Sequence, residues 1–266
     1  MDLKMEKTSH FVVHHAPIDK RKGEIVGPGG DRELSEYGIE VAHRQADNIY
    51  RMMGTVALNG MGDMIISSPL RRAVQTSEII AERCDLDIVF DPRLRAQDFG
   101  CLDGLTFSEI AESVTLRHHL WDFIPELSRD GYKSHGGESN KEMVDRVADF
   151  TEKIFQDDTG SPKSSLIVTH GTVIDSMIAR IDRKRLDQIE GMNRIFEGRI
   201  LRLSKDRYDA IGDQLAAFSF IPRLAHEKTI ESKLEIIRDY VERCPRIDEQ
   251  NHLSKLLSIL ERENII

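Results

Sequence analysis

Cysteine is scarce: three in 266 residues, Cys84, Cys101 and Cys244, scattered along the chain. They are too few and too far apart for a disulfide framework or a zinc cluster, and a reducing cytoplasm is the simplest compartment. Long apolar runs are missing as well; none approaches the ~18–20 residues that span a bilayer. Met1 to His10 is polar and has no apolar signal core. Positive charge is not in excess: 37 basic against 46 acidic residues give a net charge of −9. General nucleic-acid binding needs a basic face and is excluded on that ground, while a small anionic ligand needs only a few converging cations. No internal repeat and no low-complexity segment stands out.

What is present is an ordinary globular balance, 39% hydrophobic and 31% charged, long enough for one large domain or two small ones. Short apolar runs at His10–His14, Met64–Ile66, Asp87–Phe90, Leu166–Val168 and Ile200–Leu203 read as strands. Helical spacing covers Glu36–Met53 with Ser35 as its cap, Ala73–Cys84, Phe107–Leu127, Glu142–Phe155 and Val173–Ile181. Strands alternating with helices predict an α/β domain, a mostly parallel sheet flanked by helices, over residues 10–222. The ending, 223–266, differs. Ile230, Leu234, Ile237 and Val241, and then Leu253, Leu256, Leu257 and Leu260 beyond Pro245, predict a C-terminal extension of two amphipathic helices that pack on the domain or form a homodimer contact.

Three of the apolar runs end in polar residues of one chemical kind. Phe11-Val12-Val13 delivers His14 and His15; Met64-Ile65-Ile66 delivers Ser67, Ser68, Arg71 and Arg72; Leu166-Ile167-Val168 delivers Thr169 and His170. Ligands of open α/β sheets bind beyond the carboxyl ends of the strands. If these strands are neighbours, histidines and arginines converge there on an oxyanion such as phosphate, and Gly171-Thr172 opens a helix whose free N–H groups favour the same charge.

Six segments then fall in a familiar order: Val12-Val13-His14-His15-Ala16; Asp31-x-x-Leu34-Ser35-x-x-Gly38; Ser68-Pro69-Leu70-Arg71-Arg72-Ala73-Val74-Gln75-Thr76; Asp98-Phe99-Gly100-x-x-x-Gly104-Leu105-Thr106; Gly137-Glu138-Ser139; and Val168-Thr169-His170-Gly171. Together they resemble the histidine phosphatase superfamily, the phosphoglycerate-mutase-like fold, over roughly residues 10–205. The resemblance implies that His15 attacks phosphorus and becomes a transient phosphohistidine, and that Arg72 and His170 hold the phosphoryl oxygens; His14 beside them is a further candidate, as a protonation-dependent substitute for the family arginine. It implies no metal and no organic cofactor, and a small phosphorylated metabolite as substrate. Three positions depart from the family pattern: His14 stands for arginine, Ala16 for glycine and Ala96 for the glutamate that protonates the leaving group. Arg21 lies near a phosphate-contacting position of the family, and with Asp98 and Glu138 it is a candidate substrate contact. Asp98, Asp103 and Glu138 are the candidate replacement acids. His118-His119 lacks a partner at metal-ligand spacing and reads as solvated or packing. The insert Phe107–His135 is expected to form much of the specificity wall. The leading expectation is a metal-independent phosphomonoester hydrolase. Its rivals are a ligand- or partner-binding member without turnover and a member with other chemistry on the same scaffold.

Overall fold

The computed structural model describes residues 10–53, 64–117, 133–156, 164–182, 200–205 and 208–211. The expected C-terminal helices with their dimer contact, His118-His119 and the middle of the Phe107–His135 insert lie outside these residues.

Six strands, β1 (His10–His14), β2 (Met64–Ser67), β3 (Asp87–Phe90), β4 (Leu166–Thr169), β5 (Ile200–Leu203) and β6 (Tyr208–Ile211), form one sheet in the order β3-β2-β4-β1-β5-β6. The first four in that order run parallel; β5 pairs antiparallel with β1, and β6 antiparallel with β5. The short continuous apolar runs follow from this placement. A parallel strand with helices on both faces has no solvent side, so its residues need not alternate. In β1, Phe11 and Val13 face the layer of α1 (Glu36–Met52) and α2 (Arg71–Cys84), where Ala46, Ile49, Ala73 and Ile80 meet them. Val12 faces the opposite layer, of α4 (Asn140–Ile154) and α5 (Gly171–Asp182), with Met143, Val147, Phe150, Ile174 and Met177.

The helix starts are written in the sequence. Ser35 caps α1 by accepting from the Gly38 amide, 2.9 Å. A Cβ at Gly38 would overlap the Pro17 carbonyl oxygen, so glycine here lets α1 start hard against the loop that follows β1. Ser139 and Glu142 form a reciprocal capping box on α4, so the helix begins at Asn140, earlier than Glu142. α2 starts at Arg71, directly after Pro69 and Leu70. α3 (Phe107–Glu112) ends at Ser113, well before Leu127. Between Phe90 and Phe107 the chain makes only two short 3-10 turns, Pro92–Leu94 and Gly100–Leu102.

Candidate active site

The parallel order β2-β4-β1 puts the three polar strand ends side by side. Pairing continues one residue past the strands: the His15 amide donates to the Thr169 carbonyl (3.0 Å), and the Ser68 amide to the Val168 carbonyl (2.9 Å). His15, His170 and Ser68 are thereby fixed to one another through backbone. The His15 and His170 ring centroids are 5.0 Å apart and those of His14 and His15 4.2 Å.

His15 is buried, and its two ring nitrogens have different partners. Nδ1 lies 2.7 Å from the Ala16 carbonyl oxygen, which can only accept, so Nδ1 carries the proton. Nε2 then holds a lone pair, and the Arg72 Nε–H donates to it at 3.2 Å. One neutral tautomer satisfies both contacts, and it is the nucleophilic one. Burial, His14, His170 and Arg72 all hold the His15 pKa well below its usual value, which keeps that lone pair free of a proton. His170 is held down by the same burial and by Arg72. Its Nε2 meets the Ser68 hydroxyl at 2.8 Å, whereas its buried Nδ1 has no hydrogen-bond partner.

Arg72 comes from the first turn of α2 and is 2% exposed. Burial lowers its pKa, opposed by Asp31 and Asp103. Nη1 reaches Asp31 at 3.3 Å, and the same carboxylate accepts from the Arg71 amide at the positive end of α2. The remaining motif residues hold this frame. Gln75 accepts from the Leu34 amide (2.7 Å), and Thr76 accepts from the Ala16 amide (3.0 Å) while donating to the Arg72 carbonyl (2.7 Å). The Ala-Val-Gln-Thr segment thus ties the Asp31–Ser35 loop and the loop after β1 to α2.

His14 is half-buried; its Nδ1 donates to the His15 carbonyl at 2.7 Å. Desolvation, with Arg72 and Lys20, pushes it down to about 4, against the contribution of that hydrogen bond. It is therefore uncharged near neutral pH in the free site and is no ready substitute for an arginine. The hydrogen bonds of the three expected substrate contacts run elsewhere. Arg21 is exposed and donates to Glu109 (2.6 Å) and the Gly104 carbonyl (2.5 Å). Glu138 accepts from Arg146 at 2.8 and 2.6 Å, with Arg95 at 3.8 Å. Asp98 accepts from the Gly100 amide at 2.9 Å. Two contributors stand out only in three dimensions: Asp31, which holds Arg72, and Ser68, which orients His170. Each lay in a motif, but its partner is set by the fold. Among the described residues no group of three His, Cys, Asp or Glu side chains is placed to hold a metal ion.

Residues 11–208 match the model of the histidine phosphatase superfamily, branch 1. The chain belongs to that superfamily. Relatives of this chain include a bifunctional protein of Mycobacterium tuberculosis, 34% identical over 171 residues that make up 64% of this chain and 43% of that protein. This chain thus matches less than half the length of its mycobacterial relatives. A probable phosphoglycerate mutase of Yersinia pestis is 30% identical, over 64% of this chain and 73% of its own. Among solved structures, YhfR of Bacillus stearothermophilus (TM-score 0.61, 22% identity) covers 77% of this chain and 96% of its own, and shares the fold. The mycobacterial glucosyl-3-phosphoglycerate phosphatase solved with VO3 does so too, at TM-score 0.58 and 23% identity, over 77% and 97%. No helix among the described residues is long and apolar enough to cross a membrane.

Proposed function

We propose that the chain is a phosphomonoester hydrolase acting on a small phosphorylated metabolite through a phosphohistidine at His15. The observation that carries this reading is the His15 tautomer: Nδ1–H is spent on the Ala16 carbonyl, and the Nε2 lone pair lies against Arg72 in a buried cluster. In the first step Nε2 attacks phosphorus and the bond to the leaving oxygen breaks, while Arg72 meets charge on the equatorial oxygens. His170 serves the same oxygens through Nδ1–H in the tautomer that accepts from Ser68. In the second step water attacks phosphorus, the N–P bond breaks, and Nε2 regains its lone pair.

A second reading is a member that binds an anion without turnover. It draws on the two departures from the family pattern that bear on turnover rather than on binding: His14, uncharged near neutral pH, at the arginine position and Ala96 at the glutamate position. Incubation with a panel of phosphate esters, with and without chelator, separates the two. Chelator-insensitive phosphate release and an acid-labile phosphoprotein intermediate are the expected results. Phosphate-ester binding with no release would establish the second reading.

A further inference from the structure

Near neutral pH the His170 ring carries a single proton, because burial and then Arg72 hold its pKa well below the usual value. That proton has two addresses, Nδ1 and Nε2. The bond made by one nitrogen of a neutral imidazole decides what the other presents. Nε2 is engaged, meeting the Ser68 hydroxyl at 2.8 Å. Whichever group donates in that contact sets the tautomer.

Ser68 is built to donate. It is fully buried, so its hydroxyl proton is withheld from bulk water. Its Oγ already accepts from the Leu70 amide, at 3.3 Å, in the turn that leads into α2. Its backbone is fastened on both sides. The amide donates to the Val168 carbonyl (2.9 Å), and the carbonyl accepts from Ser67 Oγ (3.0 Å), which itself lies 2.8 Å from Ser77 Oγ of α2. His170 is anchored as well, since its carbonyl accepts from the Val173 and Ile174 amides at the start of α5. When the hydroxyl donates, Leu70 N–H, Ser68 O–H and His170 Nε2 form one head-to-tail chain, and each proton has an acceptor. Were Nε2–H to donate instead, two N–H groups would converge on Oγ, and the hydroxyl proton would forfeit the acceptor 2.8 Å away. A buried donor stripped of its partner is costly, so the chain favours Nδ1–H.

The two central histidines then present opposite poles. His15 spends Nδ1–H on the Ala16 carbonyl and keeps a lone pair at Nε2. His170 spends the Nε2 lone pair on Ser68 and keeps an N–H at Nδ1, a buried atom with no partner among the described residues. Their ring centroids are 5.0 Å apart. A lone pair suits phosphorus, and an N–H suits a phosphoryl oxygen. We propose that Ser68 is a positioning residue of this site: its hydroxyl, aligned by the Leu70 amide, keeps the His170 proton on Nδ1, where a phosphoryl oxygen accepts it. Ser68 acts through His170. The consequence for turnover rests on the phosphohydrolase reading above; the tautomer does not.

The test reads the tautomer directly. In the full chain labelled with the heavy nitrogen isotope, NMR correlations between ring protons and ring nitrogens separate a protonated nitrogen from one with a lone pair. His170→Gln identifies the His170 signals by their loss. At neutral pH the parent should show His170 as Nδ1–H. Ser68→Ala, which removes the hydroxyl, should draw the two nitrogen shifts towards each other as the tautomers mix, and Ser68→Thr, which retains it, should restore the parent pattern. Orthovanadate affinity, and kcat/KM on nitrophenyl phosphate, should fall by roughly tenfold in Ser68→Ala and recover in Ser68→Thr; the drop is smaller than the ~10²–10³-fold that follows outright loss of an oxyanion donor. A general loosening of the fold would lower activity without moving the proton between nitrogens. His170 as Nε2–H in the parent overturns the proposal, and the parent spectrum decides alone if neither variant folds. An unchanged tautomer in Ser68→Ala overturns it too, as does unchanged vanadate affinity beside a redistributed proton. Absence of turnover on phosphate esters in all these proteins overturns the hydrolase reading, while the spectra and vanadate affinities still decide the role of Ser68.

Discussion

The central strand β1 carries a buried histidine at its entrance and another just past its exit, and the two differ in a single respect. Both are desolvated, and burial pushes both down: His10 to about 4, His15 well below its usual value. At His10 the ring is closed. Nδ1 meets the Ser165 hydroxyl at 2.8 Å, Nε2 donates to the Ile154 carbonyl at 3.0 Å, and the Phe155 ring packs edge-on. At the other end His15 Nε2 faces the Arg72 guanidinium, and neighbouring His170 has a nitrogen with no partner among the described residues. Burial and a depressed pKa are therefore common to a packing histidine and to the proposed nucleophile. What separates them is unspent hydrogen-bonding capacity aimed at a shared space.

The hardest blow to this contrast is exchange of the two residues for alanine. His15→Ala should lower turnover by about 10³-fold or more in the folded protein, since the proposed nucleophile is lost. His10→Ala should do the reverse. It strands the Ser165 hydroxyl and the Ile154 carbonyl and opens a cavity, for a loss of about 2–4 kcal/mol by urea unfolding, with kcat of the folded fraction kept. Equal effects of the two on turnover would erase the distinction.

Acid should expose what the two ends share. A histidine held at about 4 in the fold and near 6.5 when unfolded contributes its full stability above about pH 6.5 and loses it as pH falls towards 4, because the unfolded chain binds the proton first. For His10 alone that amounts to about 3 kcal/mol across the window. Urea midpoints measured from about pH 7.5 to about pH 4.5 should decline, and less steeply in His10→Ala. The mildest effect is expected at His14. Because it is uncharged near neutrality, vanadate affinity corrected for the ligand's own titration should be flat from about pH 6 to about pH 8.5. His14→Arg, which adds a permanent cation, should tighten it by roughly tenfold. A parent profile that weakens steeply with rising pH would show that the bound anion draws a proton onto His14.

The strands that carry the site were legible because β1, β2 and β4 are covered on both faces and so appear as uninterrupted apolar runs. The histidines were legible because each follows such a run directly. β6 was not read as a strand: Tyr208–Ile211 is an edge piece defined by its pairing to β5 rather than by its own pattern. The helix expected from Ala73 begins two residues earlier, at Arg71, since Pro69 and Leu70 turn the chain directly after β2. Side-chain partners were least legible. Arg21 finds Glu109 and Gly104 across more than eighty positions of sequence, and Glu138 finds Arg146 rather than a ligand. Such choices depend on how loops meet, for which spacing along the chain carries no signal.

The interior position of β1 has a consequence for how the protein breathes. Its backbone is paired to β4 on one side and β5 on the other, and Phe11, Val12 and Val13 are fully buried. Amide protons there reach solvent only when the sheet itself opens, so their deuterium uptake should be among the slowest in the molecule and should track global unfolding. The His15 amide is pinned to the Thr169 carbonyl at the end of that same block. The proposed nucleophile is thus mounted on a slowly exchanging unit, and the motions that admit and release ligand must come from the loops around it.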